Sequence, residues 1–244
     1  MHKQNTENPK TEVIKLKISD TYLELRPLTI IIGKTVEKSF LLSQLASAIT
    51  DAVFLPADRA CRAFSHPIRL TKSAEELLRG VGIVLRASPS AVYIEMNGRK
   101  IELAHVPPSI RGIVAIVLAL SSKNRFVIIE DPEAHLHPSA QRILARVIAE
   151  AVNSGLYVIL TTHSDYLISE LNNLIALSAS IDVRKKLGYR DVEVISPEMV
   201  AVYHLVDDGG KVVAKRLSVD YTGIPEDEFA KVAEEILAMR NELY

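Results

Sequence analysis

The stretch that decides the fold is FVIIEDPEAHLHP, residues 126–138. Its first four residues are β-branched or aromatic, and such a run predicts a short strand buried on both faces of a parallel sheet. Two consecutive acids, Glu130 and Asp131, follow that strand. Ligands bind at the carboxyl edge of an open α/β sheet, and adjacent carboxylates there are costly unless a cation or a proton-transfer role compensates them. The alternative is a strand end whose acids are merely solvated.

The segments on the carboxyl side of this stretch alternate between helix and strand. Apolar residues recur at helical spacing over 139–152 and again over 165–177, and an apolar run at 156–160 predicts a strand between them. A strand–helix–strand–helix order favours a parallel sheet with right-handed crossovers. We therefore predict an α/β domain in which helices flank a mostly parallel sheet.

Antiparallel hairpins are predicted on either side of this region. Three pairs of segments are expected to form them: 11–18 with 21–25, 91–96 with 100–106, and 199–206 with 211–219. The second pair flanks Asn97-Gly98, a strong signal for a two-residue turn, and the third flanks Gly209-Gly210. The hairpins are therefore expected to accompany the parallel sheet rather than to form it.

Further helices complete the predicted organisation. They are expected over 73–87, with Ser73 as the N-cap, over 109–120, and after Pro225. We predict a flexible tail over 1–10, one domain over 11–195, and a hairpin-and-helix appendage over 196–244 packed on the same domain.

A candidate phosphate loop lies between the β-branched strand predicted over 28–32 and the apolar helical stripe that follows it. It reads GKTVEKS, opening with Gly33 and Lys34 and ending with Lys38 and Ser39. The last two residues match the end of G-x-x-x-x-G-K-[ST], in which the lysine holds phosphates and the hydroxyl binds Mg²⁺. The loop is one residue short, lacks the second glycine and carries an acid, Glu37, beside the lysine. The alternative is an ordinary strand–turn–helix connection.

Two motifs carry a family resemblance. IIEDPEAHLHP at 128–138 and TTHSDYLISELNNL at 161–174 resemble the ATPase domains of the ABC/SMC-like class, most of all the AAA-type ABC proteins of the OLD and AbiEii-like neighbourhood. The resemblance is strong over about 105–177, weaker over 26–60, and not usable beyond about 195. It implies a P-loop NTPase-like fold that uses ATP and Mg²⁺, with the loop at Gly33 as a degenerate Walker A motif.

The resemblance also implies roles for particular residues. Glu130 and Asp131 correspond to the Walker B pair, so that Glu130 would hold Mg²⁺ together with Ser39 while Asp131 would orient the attacking water. His163 corresponds to the switch histidine that contacts the γ-phosphate. This chain has Glu-Asp where the family usually has Asp-Glu or Glu-Glu. The shorter Asp131 side chain therefore predicts slow hydrolysis.

Ser109 stands where the family has its signature sequence, which donates a serine and helix amides to ATP bound on a partner subunit. The segment PPSIRG at 107–112 retains only that serine, with a glycine displaced. The alternative is that Ser109 is a plain helix N-cap. A zinc site at His135 and His137 is a further alternative, for which the sequence supplies no evident fourth ligand.

Composition limits the functional classes. The chain has 244 residues, a formal net charge of −1 and one cysteine, Cys61, which excludes an internal disulfide framework. No apolar run is long enough for a membrane span, so we expect a cytoplasmic protein without membrane insertion. The near-neutral charge argues against a globally basic nucleic-acid binder.

Three functions follow from these observations. The first is an ATP-dependent dimerising ATPase, as a homodimer or with a partner subunit. The second is a pseudo-ATPase that has lost nucleotide binding and acts as an interaction subunit, and the defective loop favours it. The third is direct DNA binding through a basic segment that contains Arg184, Lys185, Lys186 and Arg190.

Overall fold

The computed structural model describes residues 12–18, 21–33, 35–57, 70–87, 92–209 and 211–242. The tail predicted over 1–10, Lys34 of the candidate phosphate loop, Cys61 and Gly210 lie outside those ranges. None of the helices in the described part of the chain combines the length and the apolar character needed to cross a membrane.

The described part of the chain forms eleven β-strands and seven α-helices. The strands are β1 (Ile14–Ile18), β2 (Thr21–Leu25), β3 (Leu28–Gly33), β4 (Ala52–Leu55), β5 (Val84–Ala87), β6 (Val92–Met96), β7 (Arg99–Glu102), β8 (Phe126–Ile129), β9 (Tyr157–Thr161), β10 (Val200–Asp208) and β11 (Lys211–Leu217). The helices are α1 (Thr35–Ala48), α2 (Lys72–Gly80), α3 (Pro108–Leu120), α4 (Pro138–Asn153), α5 (Asp165–Ala176), α6 (Ile181–Lys186) and α7 (Asp227–Asn241).

The central sheet has six strands in the order β11–β10–β3–β9–β8–β4. Five of them are parallel, and β11 pairs antiparallel with β10 at one edge. The order places the carboxyl ends of β3, β9 and β8 side by side, as a functional edge of an α/β sheet requires. The predicted α/β class, with a mostly parallel sheet and antiparallel hairpins, is confirmed.

Two hydrophobic cores lie on opposite faces of the central sheet. Ile30 of β3 enters the core shared with α2, α3, α4 and α5, whereas its neighbour Ile31 enters the core shared with α1 and the β1–β2 hairpin. Leu42 and Leu45 of α1 are fully buried in that second core. Because burying a leucine side chain contributes about 1.5–3 kcal/mol, this packing fixes where α1 begins relative to the sheet edge.

The helix predicted over 73–87 is wrong in its second half. Helix α2 ends at Gly80, and Val84–Ala87 forms β5, which pairs with β6. Gly82, with a φ of 77°, lies in the turn between them, a backbone conformation that glycine adopts without strain. The N-cap is Thr71, whose side chain accepts a hydrogen bond from the Ala74 amide at 3.2 Å, and not Ser73, which is buried.

The hairpin predicted over 199–219 forms as β10 and β11. Strand β10 also pairs in parallel with β3, from Val200 opposite Leu28 to Leu205 opposite Gly33. The first strand of this hairpin is therefore part of the central sheet, which the sequence did not indicate. The domain division at residue 195 stays a prediction.

Candidate functional site

The turn after β3 is fixed by a close approach between two backbones. Gly33 has a φ of 129°, and a Cβ atom built there would lie 2.7 Å from the backbone oxygen of Leu205 in β10. Only glycine fits such an approach, because the contact is with backbone that cannot move aside. The chain enters α1 two residues later, at Thr35, so that the start of this helix lies at the carboxyl edge of the sheet.

Lys38, in the first turns of α1, is the largest fully buried side chain of the molecule's described part, with 1% exposure. Its Nζ lies 2.6 Å from Nε2 of His163 and donates to the Thr162 carbonyl oxygen at 3.3 Å. Asp131 Oδ1 lies 3.6 Å from the same nitrogen. The structure therefore brings together residues from three separate segments of the sequence.

Burial sets the electrostatics of Lys38. Desolvation lowers the pKa of the ammonium group below its ordinary value, and the charges of Asp131, Glu133 and Glu130 oppose that shift without cancelling it. A lysine whose charged form is disfavoured in this way gains more from an anion placed beside it than an exposed lysine gains.

Ser39 and Glu130 meet directly. The Ser39 hydroxyl donates a hydrogen bond to Oε1 of Glu130, and Oε2 of Glu130 accepts one from the Ala57 amide at 3.0 Å. The backbone amide of Glu130 donates to the Leu55 carbonyl oxygen at 2.9 Å, which ties the strand end to β4. A hydroxyl and a carboxylate form the hard oxygen donor set that Mg²⁺ prefers, so these two residues fit the ion chemically.

Asp131 is held in an unusual backbone conformation. Its φ is 42°, in the left-handed region that aspartate enters more readily than most residues. Its amide donates to Thr161 Oγ1 at 3.1 Å, and that hydroxyl donates to Asp131 Oδ1, also at 3.1 Å. Thr161 ends β9 and is fully buried, so a rigid strand fixes the orientation of this carboxylate.

Glu133 is a further member of the site, and the sequence analysis missed it. It is 8% exposed, and its Oε1 accepts hydrogen bonds from the Thr162 hydroxyl at 2.9 Å and from the His163 amide at 2.8 Å. Burial raises the pKa of Glu133, although these hydrogen bonds oppose that shift. Two consecutive threonines at the end of a buried strand were the signal that could have found this arrangement. We call Lys38, Asp131, Glu133 and His163 the edge cluster.

The remaining histidines lie outside the edge cluster. His135 and His137 are exposed, and the His137 side chain accepts a hydrogen bond from the Ser139 amide at 3.3 Å as the N-cap of α4. In the described ranges, no group of three or more His, Cys, Asp and Glu side chains is arranged to hold a metal ion.

Ser109 is not the N-cap of its helix. Helix α3 begins at Pro108 with Pro107 in the cap position, and Ser109 is half-buried in the first turn. The interpretation of Ser109 as a plain N-cap is therefore wrong. Its alternative role, at ATP on a partner subunit, stays a prediction.

Two of the four basic residues in the segment predicted to contact DNA form ion pairs within the molecule. Arg184 is 8% exposed and lies 2.7 Å from Asp191 Oδ1. Arg190 donates to Glu193 Oε1 at 2.8 Å and also to Glu150. Lys185 and Lys186 remain exposed. Two lysines make a much weaker phosphate-binding surface than the four cations expected from the sequence.

A comparison with models of protein families finds a match in the middle of the chain. Residues 115–168, which include β8, β9, Glu130, Asp131 and His163, match the family model described as an AAA ATPase domain. Over this stretch the chain is similar to an AAA-type ATPase domain. The ATPase-like stretch is about a fifth of the 244 residues. A comparison with curated proteins finds no match.

Among the solved structures to which the chain is similar are an SMC head domain and two ABC transporter proteins. The SMC head domain from Thermotoga maritima is 10% identical, with 82% of this chain and 93% of that chain covered and a TM-score of 0.44. An inward-facing putative metal-chelate type ABC transporter is 16% identical, with 80% and 74% covered and a TM-score of 0.43. A dimeric bacterial ABC transporter cassette is 11% identical, with 66% and 89% covered and a TM-score of 0.40. Similarities this low carry no inference about activity.

Proposed function

We propose that this chain is an ATP-binding ABC/SMC-like ATPase head that dimerises with ATP and hydrolyses it slowly with Mg²⁺. The observation that carries the proposal is the convergence of Lys38 and Ser39 from α1, Glu130 and Asp131 after β8, and His163 after β9. A family match over residues 115–168 supports the same class.

Each residue of the site has a definite task in this proposal. The Lys38 ammonium and the amides at the start of α1 would hold the phosphates, since helix N-termini favour anions. Ser39 and Glu130 would hold Mg²⁺, which supplies charge neutralisation on the phosphates when bound. The three N–H donors of Lys38 already face the Thr162 carbonyl oxygen, the His163 imidazole and Asp131, so a phosphate bound by this ammonium would compete with at least one of these contacts.

Hydrolysis depends on Asp131 and His163. The Asp131 carboxylate would orient the attacking water, and the His163 imidazole would contact the γ-phosphate. Asp131 is short and is already bonded to Thr161, so its reach toward a water is limited. Misplacement by about 1 Å can cost about a hundredfold in rate, which is the physical reason to expect slow turnover.

Dimerisation completes the site in this proposal. Ser109 and the start of α3 would contact ATP bound on a second copy or on a partner subunit. A head that closes only with nucleotide would transmit ATP binding to partners as a change of assembly state. Contact with nucleic acid would then come through a partner, because the basic segment of this chain is mostly ion-paired.

A second candidate is a pseudo-ATPase that acts as an interaction subunit. The observation that favours it is the state of Lys38, which is 1% exposed and already bonded to Thr162. Glu37 adds a negative charge beside it. If nucleotide cannot displace these internal contacts, the same residues would serve only to hold the sheet edge together.

Calorimetric titration with ATP and Mg²⁺ separates the two candidates. The ATPase proposal expects saturable binding that is lost in Lys38→Ala and kept in Lys123→Ala, which removes an exposed lysine elsewhere on the molecule. It also expects phosphate release that requires Mg²⁺. No binding at about 1 mM ATP, equivalent to a free energy weaker than about −4 kcal/mol, would establish the pseudo-ATPase instead.

A further inference from the structure

Glu133 is a buried carboxyl group that makes only part of its hydrogen bonds. It is 8% exposed, and its Oε1 accepts from Thr162 and His163. Its Oε2 is buried and has no hydrogen-bond partner among the described residues. Burying a carboxylate with an unsatisfied oxygen costs free energy. A residue that only packed the strand end would not need this charge.

The groups bonded to Glu133 form the wall of the proposed phosphate site. The Thr162 hydroxyl donates to Glu133 and accepts from the Ser164 amide at 3.0 Å, while the Thr162 carbonyl oxygen faces Lys38 Nζ at 3.3 Å. The amide of His163 donates to the same Glu133 oxygen, and its imidazole lies 2.6 Å from Lys38. Glu133 therefore fixes a segment whose other side faces the lysine.

The backbone amide of His163 is held by a side chain from a different segment of the sequence. The His163 amide has Glu133 as its described acceptor, and Ser164 next along the chain caps α5 through its own side chain. The segment is thus anchored at Glu133 on one side and at the start of α5 on the other. Removal of the first anchor takes away the Glu133 oxygen that accepts the hydrogen bond of the His163 amide.

We propose that Glu133 is a positioning residue for His163. Its carboxylate holds the Thr162 hydroxyl and the His163 amide together, so that the imidazole faces Lys38 across the site. This inference rests on the proposed ATPase function for its kinetic consequence, but not for its structural one. The consequence for turnover is a loss of rate without a matching loss of ATP affinity.

The test compares two substitutions at one position. Glu133→Gln keeps an oxygen that accepts both hydrogen bonds, and Glu133→Ala removes it. Glu150→Ala is the matched control, because Glu150 is also a buried glutamate, 4% exposed, and is bonded to Arg190 and Ser73 away from the site. It reports what the loss of a buried glutamate does to folding alone.

The first measurement uses the nucleotide-free protein with ¹⁵N-labelled histidine. The His163 amide signal, assigned by its absence in His163→Gln, should shift and exchange faster with solvent in Glu133→Ala. It should stay near the wild-type position in Glu133→Gln and Glu150→Ala. Equal shifts in all three variants, or none in Glu133→Ala, would overturn the inference whether or not the chain binds ATP.

The second measurement is steady-state hydrolysis below the unfolding temperature of every variant. Glu133→Ala should lower kcat by roughly ten- to a hundredfold with KM changed less than about threefold. The conservative Glu133→Gln should recover most of that loss, and the control Glu150→Ala should keep wild-type kcat. A fall in kcat that Glu133→Gln shares would contradict a role for the accepting oxygen. If the wild type neither binds nor hydrolyses ATP, the proposed function fails, and the amide measurement alone decides on Glu133.

Discussion

The edge cluster and a second group of polar and charged residues, which joins α2, α4 and residues 190–193, differ in how burial changes the pKa of their ionisable groups. The second group is Ser73, Glu150, Arg190 and Glu193, which we call the α4 network. Burial opposes ionisation of Glu193, but the hydrogen bonds from Arg190 outweigh it and the pKa of Glu193 is lowered. In the edge cluster, burial prevails: the pKa of Glu133 is raised and that of Lys38 is lowered.

The direction of these pKa shifts distinguishes charges that the fold stabilises from charges that it disfavours. In the α4 network the fold favours the charged forms of Glu193 and Arg190, so these two charges add to stability at neutral pH. In the edge cluster the fold disfavours the charged forms of Glu133 and Lys38, which are therefore kept at a cost in stability. Perturbed groups of the second kind concentrate at functional sites, because they gain their stabilisation from a ligand.

The largest effect is expected from breaking the α4 network at its single cation. Arg190→Met leaves Glu150 and Glu193 buried without their partner, and we expect a loss of about 3 kcal/mol in the free energy of unfolding. Chemical denaturation at pH 7 measures it, with Lys186→Met, an exposed neighbour, as the control.

The pH dependence of this stability difference makes the test more specific. The pKa of Glu193 is lowered in the folded wild type, so its contribution to stability is present above the ordinary value of 4.5 and is lost as pH falls through the folded-state pKa. The gap between wild type and Arg190→Met should therefore narrow on acidification. A gap that stays constant with pH would show that Arg190 acts by packing instead of charge.

In the edge cluster the largest expected effect is on turnover and not on stability. Asp131→Asn removes the carboxylate proposed to orient water, and we expect kcat to fall by about a hundredfold or more. Folding and ATP binding should be retained, because the asparagine can still accept the Thr161 hydrogen bond. Phosphate release and calorimetry measure the two quantities. Unchanged turnover would remove Asp131 from the proposed mechanism.

Thr161→Val tests whether β9 orients that carboxylate. Valine has nearly the shape of threonine but cannot bond to the amide and carboxylate of Asp131. We expect kcat to fall by about tenfold and stability to fall by about 1 kcal/mol. Thr29→Val is the control, because Thr29 is a buried threonine at the opposite end of β3, bonded to Arg26. Equal effects on kcat would contradict a specific role for Thr161.

The sequence was sufficient for the buried parallel strands and for most of the residues that the sheet edge brings together. Buried parallel strands appear as uninterrupted apolar runs, which is why 28–32 and 126–129 were placed correctly, and polar residues that follow such runs must meet at one edge. Glu130 was found in this way, Lys38 and Ser39 were found by their match to a phosphate-loop motif, and His163 was found through the family resemblance. The structure brings these residues together, and their catalytic roles stay predictions.

Two kinds of feature were beyond the reach of the sequence. The break of the predicted helix at Gly80 and the pairing of β10 with β3 depend on tertiary contacts that local patterns do not contain. The sequence did not indicate Glu133, because a glutamate in a loop is usually solvated and its burial is visible only in the structure. The ion pairing of Arg184 and Arg190 was hidden for the same reason.

The smallest expected effect is a change of about 1 kcal/mol in the free energy of unfolding, caused by substitution of Glu133. Its sign distinguishes the edge cluster from the α4 network. Because the pKa of Glu133 is raised in the folded state, its protonated form is favoured, and the stability it contributes is present below 4.5 and lost as pH rises through the folded-state pKa. Glu133→Gln does not titrate and keeps the accepting oxygen. It should therefore gain stability over the wild type by about 1 kcal/mol as pH rises from 4 to 7.5.

Glu193→Gln in the α4 network supplies the opposite sign. The folded state lowers the pKa of Glu193, so this variant should lose stability relative to the wild type over the same rise in pH. Urea denaturation of the three proteins at pH 4 and 7.5 gives both differences. If Glu133→Gln gains stability over the wild type while Glu193→Gln loses it, the fold stabilises the charge of Glu193 and disfavours the charge of Glu133. If both variants change stability in the same direction, the two regions do not differ in how the fold treats their charges. The edge cluster would then not be a set of charges kept at a cost for a ligand.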